Sequence, residues 1–217
     1  MTESSGDRVA ILVHEVRSPV AALAAVAEAM SGSPGDSPGH HELVRLAVGA
    51  CAAIERIVTD IAVASVRPVL VDVGALVHDV VTSRAIGGAN VEAHVEASLP
   101  LVDGDPVRLR QALDNLIVNA LMHGDAAETV DVRATRTPTG VALSVGDAGQ
   151  GISPEDLGRI FEPGVRLDES RPGSGLGLAL TRAIVTAHGG SLDVDSSPSL
   201  GSTFTIRLPA APAHPET

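Results

Sequence analysis

From Val9 to Met30 the apolar positions are Val9, Val13, Val16, Val20, Leu23, Ala27 and Met30, separated by alternating steps of 4 and 3. That spacing is a heptad seam and predicts an amphipathic helix. Residues 31–39, SGSPGDSPG, cannot continue it. A second seam follows at Leu43, Ala47, Ala50, Ile54, Ile57, Ile61 and Ala64, with a further apolar stripe at Val44, Val48, Cys51 and Val58. Two helices joined by a short loop predict an antiparallel hairpin. One hairpin cannot cover two stripes on a single helix. The expectation is therefore a homodimer through the helical hairpin, forming a four-helix bundle, rather than a hairpin packed on its own chain.

After Arg67-Pro68 the pattern changes, because proline disfavours helix in the residue before it. Residues 69–72 read as a short strand, 73–86 as a helix and 90–96, NVEAHVE, as an alternating strand. Asp105 with Pro106 forms an N-cap and first-turn pair opening a helix to about His123. TVDVRATRT and GVALSVGD predict a hairpin of strands, and Ser153-Pro154-Glu155-Asp156 predicts the start of another helix. Residues 176–188 read as a helix, and 191–196 and 202–208 as strands. Strands and helices mix without βαβ regularity, so the fold class is α+β, with an α/β sandwich after the hairpin. The expected domains are 1–67, 68–209 and a disordered tail at 210–217.

Composition narrows the function. Net charge is −12, and the chain has 15 arginines and no lysine. That balance opposes a nucleic-acid surface and docking on anionic lipid. An anionic ligand remains possible where arginine, metal or a helix N-terminus makes the site locally positive. A single Cys, Cys51, excludes an intramolecular disulfide. MTESSGDRVAIL has no basic n-region or long apolar run, and no window is apolar enough to span a membrane. The expectation is a cytoplasmic chain without membrane contact.

Four segments carry chemistry. Asp147-Ala148-Gly149-Gln150-Gly151 follows a strand, so a tight glycine turn can aim the Asp147 carboxylate at a donor such as an exocyclic amine. Gly173-Ser174-Gly175-Leu176-Gly177-Leu178 opens a helix, and N–H groups at such a start bind phosphate. Its glycine spacing is not that of a dinucleotide-binding fold, and without lysine it is not a P-loop. Asn115 and Asn119 lie four apart on one face of an apolar helix, where amides need partners. His14-Glu15-Val16-Arg17-Ser18-Pro19 lacks the second His of a zinc site. It places His14 beside the seam toward solvent, with Glu15 able to hold the imidazole proton. Pro19 frees the Glu15 carbonyl and bends the helix. Read singly, each segment also has a plain structural explanation.

In order, HEVRSP, DNLIVNA, DAGQG, IFEPG and GSGLGL closely resemble the H, N, G1, F and G2 boxes of sensor histidine kinases. The resemblance covers about residues 8–208. It implies a dimerising phosphoacceptor hairpin and an ATP-binding sandwich of the gyrase type, with ATP and Mg²⁺ as cofactors and a response regulator receiver domain as partner. It implies His14 as phosphoacceptor, Glu15 as assisting acid and Ser18 at the position that orients a water for dephosphorylation. Asn119 matches the Mg²⁺ ligand, Asn115 the residue near the phosphates and Asp147 the adenine reader. Gly149, Gly151 and Gly173, Ser174, Gly175, Leu176, Gly177 and Leu178 match the lid edges and phosphate cradle. Thr203 matches a residue near the adenine.

The chain departs from the family at Met122, where a lysine is usual, followed by His123 on the nucleotide side. Arg166 and Arg171, flanking the lid, are the candidates for the missing cation. Two rival readings remain: a histidine phosphotransferase with a degenerate ATP domain, which Met122 favours, and a non-catalytic nucleotide-binding module. His40, His41, His78, His94, His188 and His214 have no ligand spacing and read as structural.

Overall fold

The computed structural model describes Val20–Ala21 and residues 68–168 and 175–212. Apart from Val20, the heptad seams lie outside those residues, as do the hairpin, the predicted dimer interface and His14, Glu15, Ser18, Arg171, Gly173 and Ser174. The chain divides at Ile61/Ala62, and the fold that follows belongs to the second unit.

Its elements are β1 (Val69–Val71), α1 (Val73–Ile86), β2 (Val91–Val95), β3 (Val102–Gly104), α2 (Pro106–His123), β4 (Val130–Thr137), β5 (Gly140–Asp147), α3 (Gly177–Ala187), β6 (Ser191–Ser197) and β7 (Gly201–Pro209). A five-stranded sheet runs in the order β2-β4-β5-β7-β6. Only β2 and β4 pair in parallel; the other pairs are antiparallel. Beside it, β1 and β3 form a two-stranded ribbon.

Alternation places Val130, Val132 and Ala134 of β4, Val141, Leu143 and Val145 of β5, and Phe204, Ile206 and Leu208 of β7 in one core. Against them pack Leu109, Leu113, Leu116 and Ile117 of α2, Val77 and Val80 of α1, and Ile184 and Val185 of α3. With two phenylalanines in the chain, branched aliphatics fill the layer between sheet and helices. The opposite face of the sheet carries Glu92, Asp131, Arg133, Thr205 and Arg207.

Local chemistry explains the helix starts. The Asp72 side chain accepts the Ala75 N–H at 3.0 Å to open α1. Asp105 accepts from Val107 and Arg108 at 2.9 and 3.2 Å to open α2, with Pro106 in the first turn.

The helix expected from Ser153 does not form; residues 154–161 are a run of turns. Three-residue bonds (Asp156 to Ser153, Arg159 to Asp156) interleave with longer four-residue ones, and the Ser153 hydroxyl donates to Asp156 instead of capping an amide. Gly158 lies inside this stretch, and Ile160 and Phe161 are drawn into the core. The short strand β3 has no signal of its own in the sequence, since three residues carry too little periodicity. At the other end, the Ala210 and Ala211 amides donate to Thr139 and Leu101, so this start of the expected tail is tied to the sandwich.

Candidate nucleotide-binding site

A cavity of about 280 Å³ lies between α2, the loop after β5, and the start of α3. Asn115, Asn119, Met122 and His123 line it from α2. Asp147, Gln150, Gly151 and Ile152 line it from the loop after β5. Ile160, Val165, Arg166, Leu167 and Asp168 form a further wall, and Gly175, Gly177 and Leu178 line it from the α3 side. Segments spread over the sequence thus converge on one space.

Each wall has a local cause. Asn115 and Asn119 share a face because they lie one turn apart on α2. The carboxamide nitrogen of Asn115 points toward α3, 3.4 Å from the Gly177 carbonyl oxygen and 3.5 Å from the Thr181 hydroxyl oxygen. Asp147 ends β5, and its carboxylate accepts the Gly149 N–H at 2.8 Å, closing the turn. Burial pushes the Asp147 carboxyl above its ordinary value of 3.8, against the pull of the Gly149 and Ser202 amides and the nearby His123. Gly151 has φ +69°, and a Cβ there would lie 1.9 Å from the Ser197 carbonyl oxygen, so the loop needs glycine for both conformation and space.

The N-terminus of α3 differs from those of α1 and α2. Leu176 occupies its cap position, and among the described residues no side chain accepts a bond there. The first amides of a helix have no partner within it, and they attract anions. Gly177 and Leu178 carry that start onto the cavity wall. A polyphosphate fits this arrangement, with Arg166 on the same cavity as a fixed positive charge.

Most residues expected to hold a nucleotide meet here: Asn115, Asn119, His123, Asp147, Gly151, Arg166, Gly175, Gly177 and Leu178. Gly149 does not line the cavity. It lets the loop approach α2, where a Cβ would lie 2.2 Å from the His123 carbonyl oxygen. Leu176 serves as the uncapped helix boundary rather than as wall. Thr203 is exposed on the outer face of β7 and does not line the cavity, whereas the buried Ser202 does. Strand side chains alternate in direction, so a shift of one residue reverses the face. The apolar wall of Val118, Ile152, Ile160, Val165 and Leu167 was not singled out in the sequence, because isolated aliphatic residues carry no signal.

Residues 104–212, which hold both asparagines, Asp147 and the start of α3, match the family described as histidine kinase-, DNA gyrase B- and HSP90-like ATPase. The chain belongs to that ATPase family. Its curated relatives are sensor kinases. The sensor-like histidine kinase SenX3 of Mycobacterium tuberculosis is 32% identical over 225 residues, covering 97% of this chain and 55% of SenX3. The adaptive-response sensory kinase SasA of Nostoc sp. is 32% identical, covering 95% of this chain and 58% of SasA. Among solved structures, full-length ShkA in complex with AMPPNP is 27% identical with TM-score 0.61, covering 95% of this chain and 47% of ShkA. The mycobacterial sensor histidine kinase MprB is 30% identical with TM-score 0.59, covering 67% of this chain and 99% of that one. The chain thus carries an ATP-binding domain of the sensor histidine kinase kind, and it spans about half the length of the curated relatives it matches. Among the described residues no helix is long and apolar enough to cross a membrane.

Proposed function

We propose that the chain is an ATP-dependent protein-histidine kinase that phosphorylates His14 and passes the phosphoryl group to an Asp of a response regulator. The observation that carries this reading is the meeting of Asn115, Asn119, Asp147 and the uncapped α3 start on one cavity. The acceptor wall at Asp147 suits the exocyclic amine of adenine. The α3 amides and Arg166 suit the phosphates. Catalysis is chiefly positioning and charge neutralisation, as in phosphoryl transfer generally.

Mg²⁺ fits the donor set. Among the described residues no group of three or more His, Cys, Asp or Glu side chains is placed to hold a metal. A hard cation at the Asn119 carboxamide oxygen would therefore take its other ligands from phosphate oxygens and water, the usual preference of Mg²⁺. When bound, it neutralises phosphate charge. On the receiving side, Glu15 holds the His14 proton during attack, and Ser18 retains a hydroxyl that can orient a water for dephosphorylation. The acceptor hairpin pairs with a second copy across its heptad seams, and the regulator docks near His14. The resulting kinase works in the cytoplasm.

Incubation with γ-labelled ATP and Mg²⁺ tests the reading. Acid-labile, alkali-stable label that disappears in His14→Gln is the expected result. Label gained only from a phosphorylated donor protein would instead support the phosphotransferase. Nucleotide binding without label would support the non-catalytic module.

A further inference from the structure

We propose that Ser196 is a positioning residue for base selection, acting through Ser202 on the cavity wall. The inference rests on the ATP-binding reading above. Ser196 does not line the cavity; it sits half-buried on β6, paired in register with Ser202 of β7.

Its hydroxyl is the centre of three contacts. It accepts the Ile152 N–H at 2.9 Å, donates to the Gly201 carbonyl at 2.8 Å and lies 2.9 Å from the Ser202 hydroxyl. A backbone amide only donates and a carbonyl only accepts, while serine has one proton. That proton goes to Gly201, so the proton shared between the two serines comes from Ser202. Ser202 is left with only lone pairs toward the cavity. It stands beside Asp147, its partner in the β5–β7 register and also an acceptor. Two adjacent acceptors suit a ligand edge that brings protons, such as the amine of a 6-aminopurine. A 6-oxopurine puts a third acceptor there, and neither its oxygen nor the Ser202 lone pair facing it gains a donor.

The test uses the full chain and displacement of trinitrophenyl-ATP by ATP or GTP. In Ser196→Ala the Ser202 proton is free to turn toward the cavity, and the ATP-over-GTP preference should fall about fivefold or more. Ser196→Thr keeps the hydroxyl and should keep the preference. In a Ser202→Ala background, Ser196→Ala should no longer move the ratio, whereas a purely structural role would move it in both backgrounds. An unmoved ratio in a folded Ser196→Ala, or equal falls in both backgrounds, overturns the proposal. If Ser196→Ala does not fold, Ser202→Ala alone decides, and an unmoved ratio there overturns it. An unmodified chain that binds neither nucleotide overturns the ATP-binding reading and this inference together. One that binds ATP while the variant ratio stays unmoved overturns only the role of Ser196.

Discussion

The Nε2 of His188 accepts the backbone N–H of Asp105 at 2.9 Å, joining the end of α3 to the start of α2. The other ring nitrogen, Nδ1, donates to the Ile184 carbonyl at 2.7 Å, so the contacts define one neutral tautomer. The ring is buried, and a Cβ on Gly104 would lie 2.7 Å from its Cδ2. The same Asp105 caps α2, the helix that carries Asn115 and Asn119.

His188→Ala removes the ring acceptor of the Asp105 amide and opens a void in the core. The expected loss is about 2–4 kcal/mol in urea unfolding. A loss under about 0.5 kcal/mol would show that water replaces the ring without penalty.

Asp147 couples stability and binding in opposite directions. Its folded value lies above the ordinary 3.8, so stability due to this group is fully present below that pH and is lost as pH rises through the folded value. The ionised carboxylate therefore opposes the fold near neutrality while serving as the base acceptor. Asp147→Asn should weaken ATP binding roughly tenfold or more without lowering the melting temperature at pH 7. A fall in melting temperature matching the loss of binding would mean that the residue is chiefly structural. In the unmodified chain, ATP affinity should decline on acidification with a midpoint above 3.8.

Met122 and Arg166 line the same cavity. If Arg166 supplies the charge that lysine gives in relatives, Arg166→Ala should weaken ATP binding about tenfold. Met122→Lys should restore part of that loss in the double variant. Arg136 provides the control: its guanidinium bonds the Ser98 carbonyl at the far end of β4. Isothermal titration should find Arg136→Ala unchanged and Arg171→Ala weakened. Equal affinities in Arg136→Ala and Arg171→Ala would remove Arg171 from the phosphate site.

Arg84 and Asp114 form a forked pair between α1 and α2, with Nε 2.7 Å from Oδ1 and Nη2 against Oδ2. The hydrogen bond to Asp114 raises Arg84 above the ordinary guanidinium range, with desolvation opposing it. Both side chains are about a third exposed, so water screens much of the attraction. Arg84→Ala should cost only about 0.5–1 kcal/mol in urea unfolding and leave ATP affinity within about twofold. A tenfold loss of affinity would reveal coupling from Asp114 to the adjoining Asn115.

The sequence by itself determined the elements whose information is local. Asp105-Pro106 marks the start of α2, residues 176–188 read as the helix that forms over Gly177–Ala187, and the alternation in TVDVRATRT and GVALSVGD reads as paired strands. It also placed Asn115, Asn119, Asp147 and Gly177 as candidates, because their spacing and glycine chemistry are written within a few residues. Only the tertiary structure decided what depends on distant pairing. The β5–β7 register sets Asp147 opposite Ser202, turns Ser202 inward and sends Thr203 outward. The same long-range packing drew Ile160 and Phe161 into the core at the expense of a regular helix, and assembled the aliphatic wall of the cavity. Periodicity specifies which face of an element is apolar, whereas strand register and packing specify what that face meets.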